Sequence, residues 1–433
     1  MSREILLDVL DVLERQGHSE VEVFHKRGRS RTLRVEDAKP VTSLRQEEGW
    51  AVRAGDNKRS FFYTSSGFPR PDTPWPEADG QGLRLPSARP IPSWTPPMDL
   101  DAPLLGENEA VHLVDGIADA LQEEMPGARL VRAYLEDGVS DQDLLSSREV
   151  RADSRQRAAS LFLEAAGPNR APSISVLLAE REARRFHPQA IARRLADRLL
   201  LTGRGAPVNK DRAEILLSHE VTAHMIHALS ALWIGPGAPS RIKGLADQGR
   251  IASRLFTLVD DGRFSRGILQ SAADGEGQPT RRTVLVEEGA YHQPLVSWRQ
   301  ASNRQKPSGC SRRFGWRDLP TPGPTHLYLD TGSATSVGEM LGGLSRGYYL
   351  LTTHGSIKLE DGFQRFAVPV SGFAIERGRP TGPITGSWLT GTVSSFLRGM
   401  IAAARDLTFI PLGGGMIGAP TVLVKGLELR HRP

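Results

Sequence analysis

The spacing of apolar residues in the first half of the chain changes between a helical and a strand-like repeat. Leu6, Leu10 and Leu13 recur at three- or four-residue intervals, and Gly17 follows them. This spacing predicts an amphipathic helix over residues 3–16. The same pattern analysis predicts helices over 107–124 and 187–201, and strands over 21–24, 31–35, 49–55, 60–64, 128–135, 149–154, 158–164 and 173–180.

The second half of the chain is dominated by short strand patterns around one helix. An apolar run at residues 214–217 precedes a helix that we predict to continue to Ile234, because Gly235 and Pro236 end it. The glycines 413–415 lie between strand-like runs and predict a tight turn. Further strands are predicted over 256–259, 283–287, 326–329, 348–353 and 366–376.

These elements predict an α+β protein with two domains. Residues 1–205 form an N-terminal α+β domain in which helices pack on a sheet, and its Pro-rich segment 67–105 is irregular. Residues 206–433 form a C-terminal domain of mostly antiparallel strands, with the helix after residue 217 at its centre. A peptide would bind such a protein by adding a strand to a sheet, since main-chain hydrogen bonds tolerate varied sequences.

The composition indicates an ordinary soluble globular protein. Of 433 residues, 39% are hydrophobic and 24% are charged, and the formal net charge is only +5 with the charges dispersed. The Arg-rich stretch that includes Arg193 and Arg194 is typical of a solvated face, so nucleic-acid binding is not expected. The start of the chain lacks a signal-peptide pattern, and no apolar run is long enough to span a membrane. We therefore expect a cytoplasmic protein.

The strongest chemical signal is the run from His219 to His224, in which a Glu follows the first His. A helix with this pattern can present two imidazole ligands and a general base to one zinc ion. The two His are five residues apart, roughly 140° around an ideal helix, so both reach one metal only if the helix is distorted or His219 lies in its first turn. Ser218 is suited to the N-cap position and favours the second arrangement. The alternative is a helix with polar residues near an interface, since Glu220, His224 and His227 share a face.

The order of motifs resembles the TldD/TldE (PmbA) peptidase family, whose members are also described as modulators of DNA gyrase. The resemblance covers nearly the whole chain. It rests on the N-terminal helix and on the segments 49–66, 216–224, 259–262, 406–407 and 419–427. The family implies a dimer, in the best-known case a heterodimer of TldD and TldE, that cleaves unfolded or modified peptides.

Catalytic TldD-type members hold zinc on the His-Glu-x-x-x-His pair and a later Cys, whereas TldE-type members lack these ligands. The resemblance therefore implies that His219 and His224 bind zinc, and that Glu220 is the general base that takes a proton from metal-bound water. The segment between Asp406 and the final Pro-Thr carries no Cys, and Cys310, the only cysteine, lies in a different stretch. Asp406 is then the nearest candidate for the third ligand.

The resemblance leaves three hypotheses open. The missing Cys and the apolar run after His224 favour a non-catalytic TldE-type subunit that pairs with a TldD-like catalytic subunit, or with itself. High Arg and Pro content indicates a bacterial source. The second hypothesis is a self-sufficient zinc peptidase that uses His219, Glu220 and His224, and the third is a DNA- or gyrase-associated regulator. An Asp-Thr-Gly-Ser run at Asp330 is similar to that of aspartic proteases, but a single copy after a strand is more typical of a turn.

Overall fold

The N-terminal part of the protein is built on one antiparallel sheet of six strands in the order β3-β2-β1-β4-β5-β6. The structure, a computed structural model, describes residues 2–36, 39–69, 77, 82–92, 100–168, 173–203, 205, 207–208, 210–246, 249–301 and 305–431. Up to residue 203 the elements are α1 (Ser2–Arg15), β1 (Glu20–Glu36), β2 (Lys39–Gly55), β3 (Ser60–Ser65), α2 (Glu107–Glu124), β4 (Arg129–Ser146), β5 (Arg151–Ala166), β6 (Ser173–Glu180), a 3-10 turn (Ala183–Arg185) and α3 (Pro188–Gly203).

Several strands of this sheet are longer than the hydrophobic pattern predicts. β1 spans 17 residues, so the two short strands predicted between residues 21 and 35 are one strand. β5 likewise joins the two strands predicted between residues 149 and 164. The pattern missed the connecting residues because they are polar or glycine and show no alternation of apolar and polar side chains. Gly28 nevertheless pairs with Glu47 on β2 and with Ser140 on β4, so main-chain hydrogen bonds continue where the apolar signal stops.

The helices cover this sheet as predicted. α2 and α3 pack on it through a buried cluster that includes Leu33, Leu135 and Leu161, and a second cluster brings Leu10 of α1 against the first strands. Part of the predicted irregular segment 67–105 lies outside the described residues, and its described parts contain no helix or strand beyond an isolated bridge at residue 77. None of the described helices is long and apolar enough to cross a membrane.

The C-terminal part contains many short strands and short helices. The strand predicted at 256–259 is found at 258–261. From residue 210 onward the elements are β7 (Lys210–Asp211), β8 (Glu214–Leu217), α4 (His219–Ala228), α5 (Ser230–Trp233), α6 (Ala238–Lys243), β9 (Leu258–Asp261), β10 (Arg282–Glu287), β11 (Ala290–Tyr291), β12 (Ser311–Arg312), β13 (Thr321–Pro322), β14 (His326–Leu329), α7 (Val337–Gly342), β15 (Arg346–Thr353), β16 (Lys358–Glu360), β17 (Arg365–Glu376), β18 (Arg379–Thr392), α8 (Val393–Arg398), β19 (Met400–Ala403), β20 (Thr408–Leu412), β21 (Gly415–Ala419), β22 (Val422–Val424) and β23 (Glu428–Arg430).

Two sheets enclose the helix α4. One has nine strands in the order β19-β22-β8-β15-β17-β18-β23-β7 with β16 beside β17, and the other has six in the order β11-β10-β9-β14-β21-β20. Among the described strands only two pairs are parallel, β8 with β15 and β14 with β21. α4 contacts β15 of the first sheet and both β20 and β21 of the second. The predicted α+β class, with mostly antiparallel strands around a central helix, is confirmed, while the boundary near residue 205 stays a prediction.

The central helix is shorter than the sequence predicts. α4 ends at Ala228 and α5 begins at Ser230 after the single residue Leu229, although the apolar pattern predicted one helix to Ile234. The Ser230 hydroxyl donates to the carbonyl oxygen of His227. A continuous helix would have bonded that oxygen to a backbone N–H four residues later. Local competition by a serine side chain therefore accompanies the end of the helix.

A buried ion cluster joins the N-terminal sheet to the C-terminal part. Glu22 of β1 accepts two hydrogen bonds from Arg53 of β2, at 2.8 Å from Nε and 2.6 Å from Nη2. Arg313, which follows β12, donates to the same carboxylate, and all three side chains are almost completely buried. The carboxylates of Glu276 and Asp274 add negative charge near Arg53. The two guanidinium groups are therefore balanced by more than one acid.

Candidate functional site

The candidate site is built where β8 ends and α4 begins. Ser218 is the N-cap of α4, as predicted, and its Oγ accepts a hydrogen bond from the backbone N–H of Val221 at 3.3 Å. The same hydroxyl donates to the carbonyl oxygen of Leu351 at 2.8 Å, which ties the helix start to β15. Because the cap fixes the first turn, it sets the positions of His219 and Glu220 at the boundary between the two sheets.

We expect Ser218→Ala to lower the free energy of unfolding by about 1 kcal/mol, with a range of roughly 0.5–2 kcal/mol for N-cap losses. The variant loses the acceptor for the backbone N–H of Val221 and the donor to Leu351. Urea denaturation followed by circular dichroism measures the change. Ser336→Ala is a matched control, because Ser336 caps the short helix α7 in the same way at a more exposed position, and we expect a smaller loss there.

His219 and Asp406 are brought together by the fold. Nδ1 of His219 lies 3.7 Å from Oδ2 of Asp406. The carboxylate also accepts hydrogen bonds from Thr421, at 2.8 Å from its backbone N–H and 2.7 Å from its hydroxyl. Burial raises the pKa of Asp406, but the contacts with His219 and Thr421 outweigh burial and hold that pKa below its usual value. Asp406 is thus an anionic partner that orients the imidazole of His219.

Glu220 is held by two arginines of α3. Nη2 of Arg194 lies 3.2 Å from Oε2 of Glu220, and Nη2 of Arg198 contacts the same oxygen. The other oxygen, Oε1, accepts a hydrogen bond from the Thr352 hydroxyl at 2.8 Å. The residue is only 6% exposed. Oε2 therefore has two charged donors and Oε1 has one neutral donor, which holds the carboxylate between α3 and β15.

The remaining histidines of α4, His224 and His227, are half-buried. Burial lowers the pKa of His224 to about 4, with further contributions from His227 and Arg198. Burial also lowers the pKa of His227, whose Nδ1 has no hydrogen-bond partner among the described residues. The predicted tight turn at 413–415 is confirmed between β20 and β21. A Cβ atom at Gly413 would lie 2.4 Å from Cε1 of His227, so this turn packs directly on the helix.

A cleft of about 930 Å³ lies on the other side of that turn. One wall is the face of the N-terminal sheet, where adjacent strands place the small residues Gly28, Ser30, Gly138 and Ala158. The opposite wall includes the turn at 411–415. The small side chains on the wall formed by the N-terminal sheet leave room for a ligand to lie against that sheet. The cleft therefore passes close to α4 without including His219, Glu220 or His224 in its lining.

These donors do not fit a three-ligand zinc site in the structure. Within the described ranges, no three His, Cys, Asp or Glu side chains are grouped closely enough to hold one metal ion. His219 and Asp406 are adjacent, whereas His224 is half-buried beside His227 and Arg198. Cys310 is buried in the hydrophobic core, and the pKa of its thiol is raised by burial first and by Asp260 among the nearby acids. The assignment of His219, His224 and Asp406 as zinc ligands stays a prediction.

Sequence reasoning missed the arginines that hold Glu220. The Arg-rich stretch was interpreted as a solvated face, which is correct for Arg193, whose side chain is 71% exposed. It is wrong for Arg194, which turns toward α4 together with Arg198 one helical turn later. Their four-residue spacing was the available signal, but the sequence does not reveal which helix faces Glu220. The Asp330 run follows strand β14, as predicted, but is an irregular segment with Gly332 at a φ of 59°, and Asp330 pairs with Arg282 at 3.2 Å.

The amino-acid sequence of this chain is similar to those of known metalloproteases. A Metalloprotease TldD homolog of Haemophilus influenzae is 27% identical over 175 residues, 39% of this chain and 35% of that relative. A Zinc metalloprotease TldD homolog of Saccharolobus solfataricus is 24% identical over 165 residues, 36% of this chain and 37% of that relative. The chain thus matches little more than a third of the length of these curated relatives.

A solved structure matches over almost the full length. The crystal structure of TldE from Thermococcus kodakarensis has a TM-score of 0.83 and covers 98% of this chain and 99% of its own, at 18% sequence identity. At that identity the likeness establishes the fold. Residues 210–431 match the sequence profile of the PmbA/TldA metallopeptidase C-terminal domain, which is more than half of the chain. The resemblance inferred from the motifs is therefore confirmed, and the chain belongs to the PmbA/TldD metallopeptidase family.

Proposed function

We propose that this chain is the non-catalytic subunit of a cytoplasmic TldD/TldE-like zinc peptidase that acts on unfolded or modified peptides. The observation that carries the proposal is the contact of Glu220 with Arg194, Arg198 and Thr352. A general base must be reached by the water it deprotonates. Here the residue in the base position is 6% exposed and is ion-paired with two arginines, so the reaction would take place in a TldD-like partner.

The region of the expected third ligand supports the same proposal. Catalytic members carry a Cys in the Gly-rich segment, whereas this chain has a two-residue turn between β20 and β21. Gly413 in that turn lies against His227 with no room for a side chain. A thiol placed there would have to displace the imidazole. The cleft of about 930 Å³ beside the turn gives such a subunit a second task, which is to line part of the path of the peptide.

Co-expression with a cognate TldD-like subunit tests the proposal. We expect the two chains to elute as one heterodimer that cleaves an unfolded peptide. The chain alone should contain well below one zinc per chain by elemental analysis and should leave the same peptide intact. Failure of the two chains to associate at micromolar concentration would count against the pairing.

The second candidate is a self-sufficient zinc peptidase, which the approach of Asp406 to His219 favours. It requires about one zinc per isolated chain, lost in His219→Ala and kept in His227→Ala, a matched control on the same helix. Hydrolysis by the isolated chain would then have to vanish in Glu220→Gln. Those results together would replace the proposal by this candidate. The role of a DNA- or gyrase-associated regulator stays a prediction.

A further inference from the structure

We propose that Arg194 and Arg198 of α3 form a binding site for a carboxylate group at the start of α4. The site lies beside the candidate zinc position and is not part of the predicted ligand set. The chemical class of ligand follows from the charges and the free N–H donors of the two arginines. Its assignment to the C-terminal carboxylate of a peptide rests on the proposed function.

The charges at this point of the fold do not balance. Arg194 and Arg198 both contact Oε2 of Glu220, and the second protein contact of Arg198 is a neutral acceptor, the carbonyl oxygen of Ser175 at 3.2 Å. Thr352 donates to the same carboxylate and adds no charge. In the part of the chain that the structure describes, neither arginine has a second acid within ion-pair distance. Two guanidinium groups thus face one carboxylate, which leaves one positive charge without a partner.

The ion cluster around Glu22 provides an internal comparison. There two arginines also share one glutamate, but Glu276 and Asp274 lie close enough to supply further negative charge. Charged groups that are withdrawn from water are normally paired, because their desolvation is unfavourable. Arg198 is largely buried, with 13% of its side chain exposed. Among the described residues, no second acid lies near Arg198 as Glu276 lies near Arg53 and Arg313. A bound anion would restore the balance that the other cluster already has.

The site is accessible from solvent on the side of Arg194. Its side chain is 30% exposed. Only its Nη2 atom has a hydrogen-bond partner among the described residues, so Nε and Nη1 remain available as donors. A guanidinium group binds carboxylates through two N–H donors in one plane, here Nε or Nη1 together with the second N–H of Nη2. A carboxylate carries a single negative charge, which equals the single unpaired positive charge, whereas a phosphate dianion would exceed it.

Fluorescence anisotropy on the isolated chain tests this inference. The probes are a fluorescein-labelled Ala-Ala-Ala peptide with a free C-terminal carboxylate and the same peptide with a C-terminal amide. At low ionic strength we expect the carboxylate form to bind at least about tenfold more tightly, as a charge-assisted contact would provide. Arg194→Gln should remove that difference. Arg193→Gln should preserve it, because Arg193 is the next residue on α3 but faces solvent and pairs with Glu124.

A second variant tests the site independently, in case Arg194→Gln does not fold. Glu220→Gln keeps both arginines and removes the competing carboxylate, so the free-carboxylate peptide should bind several-fold more tightly than to the natural chain. Competition identifies the source of the anion: displacement by acetate but not by equimolar sulfate supports a carboxylate site. Equal displacement by sulfate would overturn the carboxylate assignment and leave an inorganic anion site. Equal binding of the two peptides, or equal effects of the Arg193 and Arg194 substitutions, would overturn the site itself.

The outcome is separable from that of the proposed function. Anion binding is measured on the isolated chain without zinc, a partner or peptide cleavage. A chain that binds the carboxylate and also carries its own catalytic zinc would contradict only the non-catalytic role. A chain that forms the heterodimer but does not distinguish the two peptides would contradict only this inference.

Discussion

Replacing Glu22 by alanine is expected to lower the free energy of unfolding by about 3–5 kcal/mol, the usual cost of breaking a buried ion pair from one side. The variant leaves the guanidinium groups of Arg53 and Arg313 enclosed without the carboxylate that both contact. Burial raises the pKa of Glu22, but the charges of the two arginines outweigh it and hold that pKa below its usual value. The carboxylate is therefore ionised in the folded protein at neutral pH. Equilibrium unfolding in urea measures the loss.

Glu36→Ala is the matched control for this experiment. Glu36 lies on the same strand, β1, and pairs with Arg34 at 2.8 Å, but both side chains are about half exposed. Exposed ion pairs contribute roughly 0–1 kcal/mol. Similar losses for the two variants would mean that burial of the cluster around Glu22 does not matter. A loss of cooperativity in Glu22→Ala alone would show that the cluster couples the N-terminal sheet to the C-terminal part.

The second large effect is a pH-dependent gain of stability in Asp260→Asn. Burial raises the pKa of Asp260 from 3.8 to about 7, and the nearby charge of Asp261 adds to this, against opposing contributions from Thr325 and Arg312. Because the folded protein holds this proton more tightly than the unfolded chain, the contribution of Asp260 to stability is fully present below pH 3.8. It is lost as the pH rises through about 7.

Asparagine removes the ionisation and keeps an oxygen that accepts the backbone N–H of Thr325, now at 2.8 Å from Oδ1 of Asp260. The interval from 3.8 to about 7 corresponds to roughly 4 kcal/mol at most. We expect the stability of the variant relative to the natural chain to be about 2–3 kcal/mol greater at pH 8 than at pH 5. Unfolding in urea at both pH values measures this difference.

Asp261→Asn is the control at a less buried neighbour. A difference in free energy of unfolding between Asp260→Asn and the natural chain that does not change with pH would refute the argument.

The fold was predictable from the sequence wherever apolar residues keep a regular period. α1, α2 and α3 were found close to their predicted positions, since each buries one stripe of side chains. The long strands were not, because the middle of β1 from residue 25 to 31 carries polar and glycine residues. There pairing on both sides with β2 and β4 determines the structure. Period-based reasoning detects burial, whereas a strand is held by main-chain hydrogen bonds that leave no trace in side-chain polarity.

The candidate site was predictable only for residues close together in sequence. The run from His219 to His224 and the cap at Ser218 are local, and the proximity of Asp406 followed from the family resemblance. Arg198 reaches Glu220 because α3 is carried to the start of α4 by the packing of two parts of the chain. No spacing in the sequence encodes that approach. It is also the contact on which the interpretation of Glu220 depends.

The position of β8 has a consequence for the order in which this protein folds. Its residues Ile215 and Leu217 are completely buried, yet the neighbours that cover their strand are β15 and β22, residues 346–353 and 422–424. The hairpins of the N-terminal sheet pair strands that are close along the chain. β8, in contrast, pairs with β22, which is synthesised some two hundred residues later. Sheets that rely on such distant pairs form slowly. During synthesis the apolar residues of β8 therefore stay on an open strand edge, which favours aggregation of nascent chains.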